Sequence, residues 1–173
     1  VPTQFSYILN NEETPEDISS LRFARSASAP LSPDIHKKFE KRFNIPIIET
    51  MGLTETGSQI TTNPMPPGER KIGSPGKAYG NQIMIGDDQF EALPAGETGE
   101  ILVKGDNVMQ GYFKQPEETH KTILGNGWLR TGDLGYLDID GYVFVSGRIK
   151  ELIIKGGENI APREIDEALL THP

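Results

Sequence analysis

The run Ile45 to Ile48, short, apolar and suited to a buried strand, feeds directly into the loop Gly52-Leu53-Thr54-Glu55-Thr56-Gly57. A strand that ends in a polar, glycine-flanked loop is the arrangement through which α/β folds present ligands. The preceding residues agree. Ser32-Pro33-Asp34 carries a capping residue, a first-turn proline and an acid in the order that starts a helix. Ile35, Phe39 and Phe43 then recur on one face, with Lys37, Lys38, Glu40 and Lys41 opposite, which predicts an amphipathic helix of about three turns. Leu21 to Ala24 reads as a strand running into the small-residue loop Ser26-Ala27-Ser28-Ala29-Pro30-Leu31, whose side chains permit close approach of a ligand. Thr14-Pro15-Glu16-Asp17 carries the signals of a further short helix.

Residues 62–76 are rich in Pro and Gly and read as a crossing between subdomains. Beyond them the pattern turns to strands at Gln82 to Ile85, Gly99 to Lys104, Tyr142 to Ser146 and Leu152 to Lys155, separated by turn signals, with Ala161-Pro162-Arg163-Glu164 opening a last helix. The expected class is therefore α/β with mixed α+β character: an α/β portion followed by a β-rich one.

Seventeen basic against twenty-five acidic residues give a formal charge of −8, with no basic block, which argues against a general nucleic-acid-binding surface. The absence of cysteine removes disulfides, thiolate nucleophiles and cysteine-rich zinc sites, and His36, His120 and His172 are too scattered for a metal site of the usual spacing. No apolar run is long enough to span a bilayer and no leader peptide is visible, so a cytoplasmic location is the expectation.

Three motifs carry chemistry. In the Gly52 to Gly57 loop, the Thr54 hydroxyl can reach a phosphate oxygen while the Glu55 carboxylate holds Mg²⁺ against the same phosphates; a capped turn is the plain alternative. Thr131-Gly132-Asp133 reads as an exposed turn that offers a carboxylate to paired sugar hydroxyls, and Arg148 offers a cationic fork to ribose or phosphate oxygens. A turn aspartate and a surface salt bridge are the ordinary readings of those two residues, and their spacing favours the functional one. Two lures fail. Asp138-Ile139-Asp140-Gly141 would need a bidentate Glu where Ile149 stands, so it reads as a hairpin turn, and Gly68 to Gly73 has P-loop glycine spacing but Ser74-Pro75 follows in place of Lys and Ser or Thr.

In this order, Gly52 to Gly57, Arg130-Thr131-Gly132-Asp133-Leu134-Gly135 and Gly147-Arg148-Ile149-Lys150-Glu151-Leu152-Ile153-Ile154-Lys155-Gly156-Gly157-Glu158-Asn159 resemble the acyl-adenylate-forming superfamily, the AMP-dependent synthetases and ligases. Gly99 to Gly105 and Gly111 to Glu117 resemble its framework segments, and the resemblance spans nearly the whole chain. It implies an ATP and AMP site made of Ser28, Ala29, Pro30, Glu49, Met51, Gly52, Thr54, Asp133 and Arg148. Thr54, Glu55 and Arg148 would act on the reacting phosphate, with Mg²⁺ at Glu55. Met51 stands where the family usually has an aromatic that stacks on adenine; a thioether can also cover a purine face. Lys150 resembles the family's interdomain hinge, and Gly156-Gly157 the loop that helps form the channel for the thiol.

The resemblance divides the chain into 1–70, the later part of an α/β nucleotide-binding subdomain; 71–147, a β-rich subdomain; 148–150, the hinge; and 151–173, the start of the small C-terminal domain. The implied reaction is activation of a carboxylic acid as acyl-AMP and its transfer to coenzyme A, with ATP, Mg²⁺ and coenzyme A as cofactors and co-substrates. Gly147 to Pro162 and the ending Leu169-Leu170-Thr171-His172-Pro173 look most like those of acyl-CoA synthetases of the fatty-acid, coumarate and oxalate type. Val1-Pro2-Thr3 is expected to be part of the acid pocket's wall. The family's upstream phosphate loop and its C-terminal Lys are expected outside these residues, so the chain alone is expected to be inactive. Two alternatives stand: loading of a carrier protein's thiol, and a non-catalytic nucleotide-binding or scaffolding homologue.

Overall fold

The computed structural model describes residues 1–11 and 17–170, so the helix expected from Thr14, Pro15 and Glu16 lies outside the described residues. Helix α1 (Pro2–Asn10) opens the chain, followed by strand β1 (Ala24–Ser26), helix α2 (Pro33–Phe43), strand β2 (Ile47–Leu53) and strand β3 (Ser58–Thr62). α2 starts at Pro33 as expected, but the Ser32 side chain makes no capping hydrogen bond; proline geometry and the first-turn Asp34 mark the start, and Asn44 in the left-handed region ends it. Phe39 is buried, and Ile35 and Phe43 pack beside it. Phe5 of α1 meets Phe39 edge-on, with ring centroids 4.9 Å apart. Arg42 of α2 donates to the carbonyls of Leu9 and Asn11, satisfying the end of α1.

Val1-Pro2-Thr3 therefore begins a helix packed on α2, and these residues line neither of the two concavities described below. The strand expected at Leu21 to Ala24 lies further along: Leu21 and Phe23 are exposed, and pairing with β2 begins at Ala24.

The first sheet has the order β1-β2-β3-β4, where β4 is Lys77–Ala78; β1 and β2 are parallel and the other pairs antiparallel. It thus reaches past residue 70, the expected end of the α/β portion. The second sheet is an antiparallel meander of β5 (Gln82–Gly86), β6 (Gly99–Lys104), β7 (Leu129–Leu137) and β8 (Val143–Arg148). Helix α3 (Pro116–Thr122) lies between β6 and β7.

Gly76 bridges to Val143 and joins the two sheets; a Cβ there would stand 2.0 Å from the Thr62 carbonyl, so only glycine allows the approach. Asp138 turns the hairpin into β8 by accepting the amides of Asp140 and Tyr142. After β8 come a short hairpin, β9 (Ile153–Lys155) and β10 (Glu158–Ile160), and helix α4 (Pro162–Leu170). Among the described residues no helix is long and apolar enough to cross a membrane.

Two apolar clusters hold these parts. One gathers Phe5, Leu31, Phe39, Ile45 and Ile47 between the helices and the first sheet; the other gathers Ile85, Ile101 and Val143, with Met51 reaching over from β2. The nucleotide-site candidates lie where the clusters meet.

Candidate functional site

A cavity of about 850 Å³ opens between the two sheets. Its lining includes Ser28, Ala29, Pro30, Glu49, Met51, Gly52, Thr54, Glu55, Asp133 and Arg148, so all ten candidates for nucleotide and phosphate contact meet in one place. They come from three structural devices.

The first is the end of β2. A Cβ on Gly52 would stand 2.0 Å from the Ser58 carbonyl oxygen, so the chain can fold back into β3 only with glycine there. Residues Thr54–Thr56 form one 3-10 turn. The buried Thr56 Oγ1 accepts the Leu53 amide at 3.3 Å and lies 3.0 and 3.1 Å from the carbonyl oxygens of Leu53 and Ser58. Thr56 is thus the residue that fixes the turn, which leaves Thr54 exposed and Glu55 half-buried at the cavity.

The Tyr112 hydroxyl donates to Glu55 Oε1 at 2.8 Å, and the Glu55 carbonyl accepts the Met109 amide. Burial, with Glu55 beside it, pushes the Tyr112 hydroxyl above its ordinary pKa, so it stays a donor. Nothing local in the sequence marks Tyr112 as a partner of Glu55: it lies in a framework-like segment 57 residues further along the chain. An aromatic beside Gly111 carries no signal of a partner that distant.

The second device is a distorted strand. Thr131-Gly132-Asp133, expected as an exposed turn, lies within β7, and Asp133 is only 6% exposed. The register with β6 skips between Glu100 and Leu102, so Thr131 to Asp133 form a bulge, with Gly132 at φ 72°. Glu100 holds the bulge by accepting the Gly132 amide and pairing with Arg130, while the Thr131 hydroxyl donates to the Ile101 carbonyl and accepts the Asp133 amide. Across the strand pair, Asp133 stands opposite Arg148, whose Nε donates to Asp133 Oδ1 at 2.6 Å. Burial pushes the Asp133 carboxyl above its ordinary pKa, against the pull of Arg148, and Asp133 in turn raises that of Arg148.

The third is the loop after β1. Ser28 takes a positive φ of 77°, and Ser28, Ala29 and Pro30 present a flat, small-residue wall. Glu49 lies in the opposite wall, 5% exposed, with Oε1 3.0 Å from His36 Nδ1 and accepting the Gly73 amide. That oxygen ties α2, β2 and the crossing segment together.

Lys150, Gly156 and Gly157 do not line the cavity. Lys150 is exposed in the 3-10 turn Ile149–Glu151 that follows Arg148. Gly156 and Gly157, at φ 64° and 90°, form the two-residue turn of the β9–β10 hairpin, where positive φ at both positions suits glycine. Among the described residues no group of three or more His, Cys, Asp or Glu is placed to hold a metal. The oxygens of Glu55 and Thr54 do suit a hard cation that takes its remaining ligands from phosphates and water.

The family model of the AMP-binding enzymes matches residues 1–113. The sulfoacetate–CoA ligase of Cupriavidus necator is 53% identical over 173 residues, covering 100% of this chain and 34% of that protein. The solved structure of ATP-bound MatB from Rhodopseudomonas palustris superposes with a TM-score of 0.93 at 37% identity, covering 99% of this chain and 34% of that one. O-succinylbenzoate coenzyme A synthetase (MenE) from Bacillus subtilis, in complex with ATP and magnesium ion, gives 0.83 at 38% identity, covering 99% of this chain and 35% of that one. The chain spans about a third of the length of these relatives. The matched family model, together with a cavity built from its expected motifs, shows that this chain belongs to the AMP-binding enzyme family.

Proposed function

We propose that the chain is part of an ATP-dependent acid–CoA ligase that makes an acyl-AMP and passes the acyl group to coenzyme A. The observation that carries this is the ion pair of buried Asp133 with exposed Arg148, which lines the same cavity as the Thr54–Glu55 turn. Similarity to a sulfoacetate–CoA ligase and to ATP-bound structures supports it.

In this reading the adenine rests against Ser28, Ala29 and Pro30, with Met51 on the opposite wall. Asp133 accepts hydrogen bonds from the ribose hydroxyls and holds the α-phosphate in line with the acid, which converts a bimolecular attack into an oriented one. Arg148, half-exposed beside it, offers its guanidinium to ribose and phosphate oxygens. A carboxylate oxygen of the substrate bonds to the α-phosphorus as the bond to pyrophosphate breaks; the thiol sulfur then bonds to the acyl carbon, AMP leaves, and the thiol proton passes to solvent. Glu55, oriented by Tyr112, and Thr54 would hold Mg²⁺ against the triphosphate, where the ion neutralises developing charge. Residues 148–150 act as the hinge between a large domain, comprising segments 1–70 and 71–147, and a small one beginning at 151, and Gly156-Gly157 approaches the thiol channel after the rotation. The protein works in the cytoplasm.

The test uses the full-length protein in two assays, acid-dependent pyrophosphate exchange and thiol-dependent AMP release. Glu55→Gln keeps the size and loses the charge that faces the metal, so exchange falls more than about tenfold, roughly 1.4 kcal/mol in the barrier. Kinetics unchanged across magnesium concentrations would overturn the assignment of Glu55. AMP release driven only by a carrier-protein thiol, and not by coenzyme A, would select the other acceptor.

A further inference from the structure

A second concavity, of about 660 Å³, lies beside the nucleotide cavity, and residue alternation along the strands sets the two apart. On β1, Ser26 lines the nucleotide cavity and Arg25 the second one; on β2, Glu49 and Met51 line the first and Ile48 the second. Thr50 lines both. Its Oγ1 accepts Arg25 Nε at 3.1 Å and lies 3.4 Å from the Ser26 carbonyl oxygen, so the Arg25 head is joined to the nucleotide cavity through one hydroxyl.

The walls of this concavity are largely apolar, with Phe23, Ile48, Met65 and Tyr79 among them, and they include no carboxylate. Two cations line it. Arg25 makes its remaining hydrogen bond to a neutral oxygen, Gln59 Oε1, at 2.8 Å. Lys77 rests over the Tyr142 ring at 4.5 Å. Among the described residues neither is in an ion pair, whereas Arg42 donates to the carbonyls of Ile8, Leu9 and Asn11, and Arg70, Arg130 and Arg148 are each paired with a carboxylate. The Arg25 guanidinium is exposed at the mouth of an apolar concavity, oriented by two neutral acceptors and outside any ion pair among the described residues, so its fork is open to an anion that arrives with the ligand.

We propose that Arg25 reads a second anionic group on the acid substrate, a carboxylate or sulfonate a few bonds from the reacting carboxylate, with Lys77 adding to the local positive field. The proposal rests on the ligase reading above and names its substrate class: small dianionic acids. The reacting carboxylate lies in the nucleotide cavity, the linking carbons pass Thr50, and the distal anion meets the guanidinium fork. An acid with an apolar tail leaves Arg25 unpaired as the tail excludes water around it, so the same residue that favours dianions disfavours fatty acids.

The test measures pyrophosphate exchange by the full-length protein at saturating ATP with sulfoacetate, malonate and succinate against propionate and butyrate. The parent protein favours at least one dianion over both monoanions. Arg25→Met lowers kcat/KM for that dianion by roughly thirtyfold or more and leaves the KM for ATP and the monoanion rates within about twofold. Arg25→Lys keeps the cation without the fork, gives an intermediate loss, and is read in the same way where the Met variant folds poorly. The proposal is overturned by a parent preference for monoanions, or by an Arg25→Met loss that is absent or equal for both classes. Exchange with no acid at all overturns the ligase reading itself, an outcome distinct from failure of the Arg25 assignment alone.

Discussion

Asp133 carries opposing demands. Its carboxylate is wanted for ribose, yet burial raises its pKa despite Arg148, so the folded state holds that proton more tightly than the unfolded chain does. The stabilisation from this group is therefore present below the unfolded pKa and is lost as pH rises through the folded one. Asp133→Asn removes that loss. Its melting temperature at pH 7 is expected to exceed the parent's by roughly 2–4 °C, and the gap to close as pH falls toward the carboxylate range. The same variant loses ATP affinity. Thermal melts across pH, paired with calorimetry, check both; a gap that widens in acid would contradict the assigned direction.

Strand β8 ends at Arg148 and passes at once into the 3-10 turn Ile149–Glu151, so the residue facing Asp133 and the residue proposed as the hinge are two apart in the chain. A backbone rotation at Lys150 can therefore swing β9, β10 and α4 while Arg148 stays in register with Asp133. Lys150→Pro restricts that rotation by fixing φ. It is expected to leave pyrophosphate exchange within about threefold of the parent and to reduce thiol-dependent AMP release more than about tenfold, which corresponds to roughly 1.4 kcal/mol. Equal losses in the two half-reactions would remove the hinge.

The molecule brings two sheets and two apolar clusters together around one cavity, and it spans about a third of the length of its relatives. Catalytic groups that act on a single transition state lose most of their effect when separated from their partners. Residues 1–173 alone are therefore expected to show no measurable pyrophosphate exchange with any acid, while keeping some affinity for ATP through Asp133, Arg148 and the Ser28 to Pro30 wall. Calorimetry beside the exchange assay checks this. Robust exchange by the isolated chain would show that the groups named here suffice.

Local patterning was enough for α2 and for β5, β6 and β8, because each writes its period and its stop signals into neighbouring residues, whereas the strand expected at Ile45 to Ile48 starts at Ile47 and runs on to Leu53, into the segment expected as loop. Motif order and spacing brought Asp133 and Arg148 to one site, but the ion pair between them, the ordinary reading of Arg148, emerges only from the structure. Other elements were not legible. In β7, Gly132, Asp133 and Gly135 break the alternation that marks a strand, and what looked like an exposed turn is a buried bulge held by Glu100 and Thr131. Helix α1 takes much of its support from elsewhere in the chain, from Phe39 and Arg42. Tyr112 on Glu55, Gly73 on Glu49 and Arg25 on Gln59 are contacts between residues far apart in the chain, and no local pattern encodes them. The amino-acid order by itself determined which groups could do chemistry; only tertiary packing decided which are buried, which are already partnered, and which cation is left facing an apolar wall. Burial and partnership are properties of non-local contacts, and short-range periodicity does not record them.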